Sequence, residues 1–554
     1  MRLIPTILIA LTAATTISAD NVLGGGSNNK RSIRGAGAAT TTRDLQKTGT
    51  KSSSSGGSPP TVAPAPTVAP VAAPTEAPEV AAAAAASTST STTAAIPSPS
   101  EIVSEDGVLS TTISIAQGTY TIPGTPFTVN ARLLNGEYPG PTLRIKPGDT
   151  LEINFENNLV DTGSEYVHNE YSGNDISNIH FHGLHVSGEL PSDDVTHYLY
   201  PGESYNYTST LPDEHMGGTH WQHPHKHGST SLQVAGGALQ AIIVEDEDGF
   251  LPTVVANARE VLFIAHYWHL TELATIVSLS GDTVTSHDIS GSDFNEFVTV
   301  NGQYQPVINI DAGEWIRLRV VWANYREGDL DLGISGCEMF LLAKDGIYIQ
   351  DFPRSIVDAA VVSGGRADIM VRCPDPDTTY SVTGIVDLAS IQTSNSTVTR
   401  PNLPTSWTPT YPEYLEDLTT ETVTEGCTCD TVFSGNDAVN SIVFPEDADY
   451  LHQTYLGATT ARNIVANTHP YHQHVYPFQL VGATLESGYN KVGDWHDTIK
   501  GTGEIRFRPT EFTGKMMLHC HRLIHEDLGM MAMEYVGSAA LGQCSCTSVQ
   551  GVAE

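Results

Sequence analysis

From residue 108 onward, apolar and polar positions alternate in short runs broken by Gly and Pro, the pattern of half-buried β-strands joined by tight turns. One clear unit spans residues 141–153, Pro-Thr-Leu-Arg-Ile-Lys-Pro-Gly-Asp-Thr-Leu-Glu-Ile. It recurs at 306–318 with its apolar positions and turn glycine in register, and this offset of 165 residues argues for a duplicated domain. A second echo links 219–225, followed by 236–244, to 517–521, followed by 529–536. In each, a His-X-His strand precedes a turn and an apolar strand. The pattern predicts an all-β chain of three β-sandwich domains at 108–246, 255–400 and 415–540, a number that suits 554 residues.

Before residue 108 the alternation disappears. Residues 1–19 read as a secretory signal peptide, with Arg2, an apolar stretch at 3–11 and Ile17-Ser18-Ala19 as the cleavage site. Residues 20–107 are rich in Ser, Thr, Pro and Ala and too poor in aromatic and branched apolar residues to form a core. They are expected to be a disordered, O-glycosylated stalk suited to cell-wall or matrix association. No later run reaches the length of a membrane span, so a secreted protein without a transmembrane anchor is expected. The sequons at Asn206 and Asn395 fit that compartment.

Charge narrows the partners. The first 100 residues hold 7 Lys/Arg and 4 Asp/Glu, which leaves 20 basic against 59 acidic residues afterwards, a formal charge of −39. Such a surface disfavours nucleic acid and anionic membrane and attracts cations, though a merely solvated acidic face is the plainer reading.

The candidate chemistry lies in four His-X-His pairs: His180-Phe181-His182, His223-Pro224-His225, His472-Gln473-His474 and His519-Cys520-His521. Strand alternation points both histidines of a pair the same way, so eight imidazoles can surround more than one metal ion. In the last pair Cys520 must point to the opposite face, which lets one tripeptide join two metal sites. His469, His525 and Met530 complete the second site around Cys520. Two imidazoles, a thiolate and a weak thioether are the ligand set of a blue-copper electron-transfer centre, and the thioether favours copper over zinc.

On these residues the chain resembles the multicopper oxidases, three-domain enzymes of the laccase and bacterial metallo-oxidase type, over residues 108–540. It departs from them at Phe181, where the family often has Trp, and at Pro224; neither position ligates metal in the family pattern. The resemblance implies three cupredoxin-like Greek-key domains and four copper ions. Carried over residue by residue, Cys520, His469 and His525 would hold type 1 copper, with Met530 axial. His180 and His472 would hold type 2 copper, and His182, His223, His225, His474, His519 and His521 the type 3 pair. Domain two, without ligands, is expected to act as a spacer and to shape the substrate face.

The implied reaction is one-electron oxidation of a small reductant, phenol-like or ferrous iron, coupled to reduction of dioxygen to water. A ferroxidase or other metal-ion oxidase is the alternative, and a non-catalytic copper-binding wall protein a minor one. Glu526 matches a glutamate assigned to proton delivery in bacterial relatives, against a surface or helix-capping carboxylate. Asp193 and Asp194 occupy a loop where relatives carry a proton-relay aspartate. His185, His220 and His227 lie near the motifs without matching ligand positions and read as residues behind the ligands or on the surface.

The other six cysteines are expected to pair. Cys337 and Cys373 both fall in domain two, while Cys427-Thr428-Cys429 and Cys544-Ser545-Cys546 bracket domain three. Neighbours in a Cys-X-Cys rarely bridge each other, so two bridges should join the two motifs, with a metal-binding Cys₄ cluster as the alternative.

Overall fold

A computed structural model describes residues 94–270, 273, 296–446 and 449–547. The expected signal peptide and residues 20–93 of the expected stalk lie outside them. Among the described residues strand makes up 44% and helix 6%, so the all-β expectation holds. The strands form six sheets, and each sheet draws on one of three stretches of chain. Within each stretch two sheets share a core. Leu109, Ile153 and Tyr207 from one sheet pack with Leu143, Phe181 and Ile242 from the other in the first sandwich. In the last, Ile464, Phe478 and Ile505 pack with Tyr471, Leu518 and Cys520. The middle core, built on Leu318, Ile369, Ile308 and Ile391, runs on into Trp221 and Leu239 of the first sandwich.

The repeat read from residues 141–153 and 306–318 has a topological basis. In the first copy, strand Thr142–Ile145 pairs parallel with Gln240–Val244, and Thr150–Asn157 pairs parallel with Val108–Thr121. In the second, Val307–Ala312 pairs parallel with Asp387–Thr397, and Trp315–Ala323 with Arg259–His269. Strands Tyr450–Tyr455 and Thr460–Val465 repeat the arrangement a third time, with Met531–Gly537 and Thr428–Ser434 as parallel partners. The turn glycines Gly148, Gly313 and Gly457 all have φ near +80°, a conformation that disfavours any Cβ. The third copy escapes a sequence search because its strands, Tyr-Leu-His-Gln-Thr-Tyr and Thr-Ala-Arg-Asn-Ile-Val, keep the fold without keeping the apolar register.

The ordered fold begins before residue 108, which corrects the expected stalk boundary. Strand Glu101–Val103 adds an edge to the first sandwich beside Thr142–Arg144, and Ile96 N–H donates to Val307 O in the middle one. This segment is held by backbone pairing and by side-chain amides, Asn301 Nδ2 on Pro97 O and Gln303 Nε2 on Ala94 O. None of that needs apolar alternation, so composition could not reveal it.

The disulfides form as expected: Cys337–Cys373, Cys427–Cys544 and Cys429–Cys546, leaving Cys520 as the free thiol among the described residues. The last two close loops of 117 residues and are reinforced where Ser545 pairs with Gln453, so the tail beyond 540 belongs to the last sandwich. Replacing Cys427 and Cys544 together by Ser should lower the unfolding free energy by roughly 2–5 kcal/mol, read from urea titration. An unchanged midpoint would show that the clamp adds nothing to the remaining bridge.

Candidate metal centre

The four His-X-His pairs lie on adjacent strands, two pairs in each outer sandwich. Strand His180–His182 runs antiparallel to Gly218–His223, with His180 opposite His223. Strand Tyr471–Gln473 runs antiparallel to Gly514–Cys520, with His472 opposite His519. Only the first pair lies wholly within a strand. His225, His474 and His521 fall just beyond strand ends, where the chain turns and brings the second imidazole of each pair to the cluster.

All eight imidazoles are buried, none more than 4% exposed. Their free nitrogens converge in three groups: His180 with His182 and His472, His182 with His223 and His521, and His225 with His474 and His519. In the last group the Nε2 atoms of His225 and His474 lie 3.1 and 3.3 Å from His519 Nε2. Rings from the two sandwiches stack face to face, His180 on His474 at 3.9 Å and His182 on His472 at 3.8 Å.

In several rings the opposite nitrogen is held, which fixes the orientation of those imidazoles. His180 Nδ1 contacts Asp193 Oδ2 at 2.8 Å, His223 Nδ1 contacts Pro224 O at 2.9 Å, and His472 Nδ1 contacts Asp497 O at 2.9 Å. His180 Nε2, His223 Nε2 and His472 Nε2, with both ring nitrogens of His521, are buried with no hydrogen-bond partner. A buried, unpaired nitrogen costs about 1–3 kcal/mol, so this arrangement calls for a metal. Burial pushes all eight well below the ordinary histidine pKa, His223 to about 3 and His225 to about 4, and neighbouring rings add to the shift of all but His225, which keeps them neutral and ready to ligate.

Across the strand from His519, Cys520 points the other way. Its Sγ lies 3.4 Å from His469 Nδ1 and 3.8 Å from His525 Nδ1, and those two nitrogens are 3.1 Å apart. Met530, fully buried, is tied to the same loop: its N–H donates to His525 O and its carbonyl accepts from Cys520 N–H. Burial pushes the Cys520 thiol up to about 12, so its thiolate needs a metal's positive charge. Two imidazoles and a buried sulfur in one triad fit a soft ion such as copper.

The acids separate. Glu526 is fully buried; its Oε1 faces His225 Nδ1 at 3.4 Å and its Oε2 faces His519 Nδ1 at 3.2 Å, while Thr230 Oγ1 donates to Oε1. That removes the surface reading. Burial and the charge of Asp527 push Glu526 well above the usual carboxylate range. Asp193 holds His180 and accepts from Phe181 N–H at 2.9 Å. Asp194 does not join the cluster: its carboxylate pairs with Lys515 Nζ at 2.6 Å and with Thr196, because it faces away along the same loop.

Sequence reasoning missed Asp497 and Asp527. Asp497 Oδ1 faces His182 Nε2 at 3.4 Å and His472 Nδ1 at 3.7 Å. Asp527 caps the helix Thr230–Ala235 of the other outer sandwich through Gly228, Thr230 and Ser231 N–H. Nothing in a lone aspartate's sequence context marks such long-range contacts, although Asp527 does adjoin Glu526. His185, His220 and His227 are buried, not on the surface; His185, for instance, stacks on Tyr414 at 4.2 Å.

Cys520→Ser should abolish the intense visible thiolate-to-copper absorption of the loaded protein and leave the eight-histidine cluster able to bind copper. A Ser variant that stays blue would place the chromophore elsewhere.

Comparison with known proteins agrees with this geometry. Multicopper oxidase family profiles match residues 114–249 and 408–539, the two outer sandwiches that carry the histidine pairs. Laccase-1 of Thanatephorus cucumeris is 27% identical over 267 residues, 45% of this chain and 42% of that protein, so the chain matches less than half of that relative's length. The multicopper oxidase mco of Staphylococcus aureus is 23% identical over 72% of this chain and 82% of its own length. A crystal structure of laccase from Pediococcus acidilactici has the same fold, with a TM-score of 0.63 at 22% identity over 80% of this chain and 93% of that one. With its paired His-X-His strands and the Cys520 triad, the chain belongs to the multicopper oxidase family, copper oxidoreductases with dioxygen as acceptor.

Proposed function

We propose that this protein is a secreted, laccase-like oxidase that couples one-electron oxidation of a phenol or related small aromatic to reduction of dioxygen to water. In this reading it holds four copper ions. Type 1 copper would be held by His469, Cys520, His525 and Met530, and type 2 by His180 and His472. The type 3 pair would be held by His182, His223, His521, His225, His474 and His519. The observation that carries the reading is His519-Cys520-His521, which contributes to the sulfur triad on one face and to the histidine cluster on the other. Copper, when bound, supplies the stepwise uptake of single electrons and their delivery to dioxygen. Three disulfides suit an oxidising compartment.

The protein's own residues set access, path and protons. His469 is only partly buried, whereas His525 is 7% exposed, so the reductant meets the triad at the His469 edge. The backbone on either side of Cys520 is a covalent path from its sulfur to both neighbouring imidazoles. Reduction of one dioxygen to two waters consumes four electrons and four protons. Glu526, fully buried against His225 and His519 and pushed by burial well above the usual carboxylate range, is placed to donate at Oε; Thr230 Oγ1 and Asp527 stand next to it.

A second reading, a metal-ion oxidase, is favoured by one feature. Exposed Glu327 pairs with Arg522 at 3.0 Å, and both act electrostatically on His469. With the acidic surface, this suits a cationic reductant such as ferrous iron. Steady-state oxygen consumption with phenols, ferrous iron and cuprous ion distinguishes the readings, with phenols expected to give the highest kcat/KM. No oxygen uptake with any donor would leave a copper-binding protein without oxidase activity. Glu526→Gln should slow reoxidation of the reduced protein by dioxygen by ~10²–10⁴-fold and leave reduction at the Cys520 triad near normal. Reoxidation at the wild-type rate would remove Glu526 from proton delivery.

A further inference from the structure

Among the described residues the middle sandwich gives the histidine cluster no ligand, yet residues 363–366, Ser-Gly-Gly-Arg, reach it at three points. Ser363 Oγ donates to His521 O at 2.9 Å. Gly364, at φ +84°, lies against the His521 ring, and a Cβ there would stand 2.6 Å from His521 Cε1 and Nδ1. Gly364 O accepts from Trp221 Nε1 at 3.2 Å, and the Trp221 ring lies 4.3 Å from His223 and 5.3 Å from His182, centre to centre.

Arg366 makes the third contact. It is fully buried and grips Asp497 with both arms of its guanidinium, Nη1 on Oδ1 at 2.8 Å and Nη2 on Oδ2. A planar fork matches a carboxylate in a way that an ammonium cannot. Asp497 in turn faces His182 and His472, and its backbone carbonyl contacts His472 Nδ1. Asp345 anchors the arginine to its own sandwich, accepting Arg366 N–H at Oδ1 and Nη2 at its carbonyl, both at 3.0 Å. Gly183, next to ligand His182, closes the other side: a Cβ there would stand 2.1 Å from Arg366 Nη2 and 2.8 Å from Asp497 Oδ2. One residue from each sandwich therefore meets at a single point beside the ligands.

We infer that the 363–366 loop is a positioning element of the trinuclear site: Arg366, through Asp497, sets His182 and His472, and Gly364 sets the His521 ring. The middle sandwich then controls metal occupancy of a site to which it donates no ligand, in place of the spacer role expected from sequence. This rests on the copper reading above. A plain ion pair between sandwiches would hold the fold together but would not distinguish the histidine cluster from the Cys520 triad, which lies across the strand and makes no contact with Arg366.

The test uses the full chain loaded with copper, comparing Arg366→Lys, which keeps the buried charge and loses the fork, with Gly364→Ala as an independent second variant. The expected result is an unchanged visible band from the Cys520 triad in both. Copper affinity of the histidine cluster, by chelator competition, should fall on the order of 10–100-fold, the usual effect of losing a residue that orients ligands. The electron paramagnetic resonance signal of type 2 copper should change in Arg366→Lys. Wild-type affinity and an unaltered type 2 signal in both variants would overturn the inference. So would loss of the blue band in step with the cluster's copper, since a loosened fold would then explain both. A wild-type chain that takes up no copper would fail the oxidase reading itself, before either variant is compared.

Discussion

Eight uncharged imidazoles must be buried together with one nitrogen of each left for a metal, and the rest of the structure serves that requirement. Burial drives the rings to neutrality, since a protonated imidazole is strongly disfavoured away from water and beside others of its kind. Without a metal, the unpaired nitrogens are a local cost that the surrounding fold must absorb. It does so by fixing the opposite nitrogen of several rings, to Asp193, Pro224 O, Asp497 O and Cys520 O. The rings are thus oriented by the protein itself, and a metal meets a site that needs little rearrangement.

The second constraint is covalent. Because alternate residues of a strand face opposite ways, placing Cys520 between two cluster histidines commits its sulfur to the other side, toward His469 and His525. The two centres are consequently held in one relation that no hinge can change. The loop after Cys520 makes a helical turn, Leu523–Glu526, that returns His525 to the sulfur and sends Glu526 back to the cluster. Five residues after the cysteine, one turn thus serves both centres.

The cluster sits where the outer sandwiches face each other, and its supporting residues come from all three. Asp527 of the last sandwich caps a helix of the first, and Arg366 of the middle one closes on Asp497 of the last. Similar buried charges tie the sandwiches elsewhere: Lys344 of the middle sandwich meets Asp494 of the last, and Arg317 meets Asp246 beside the first. Such pairs contribute little net stability because both ions lose their water, but they are directional, and directional contacts fix how rigid sandwiches dock.

The sequence by itself determined the β class, the repeated strand pair, the histidine pairs and the sulfur triad, because each is written in local spacing: strand period, turn glycine, and ligands a few residues apart. It also implied the cysteine clamp, since adjacent half-cystines exclude each other. Tertiary structure alone decided what depends on contacts hundreds of residues apart. It separated Asp193, on His180, from Asp194, on Lys515, although the two are neighbours with the same chemistry. It carried Asp497 and Arg366 to the metal centre from positions with no motif around them, and set Asp527 on a helix of another sandwich. It drew residues 94–107 into the fold through backbone pairing, which composition does not record. Ligand spacing is a property of one strand, whereas the supporting contacts depend on how three sandwiches dock, and a single chain's local pattern carries no trace of that.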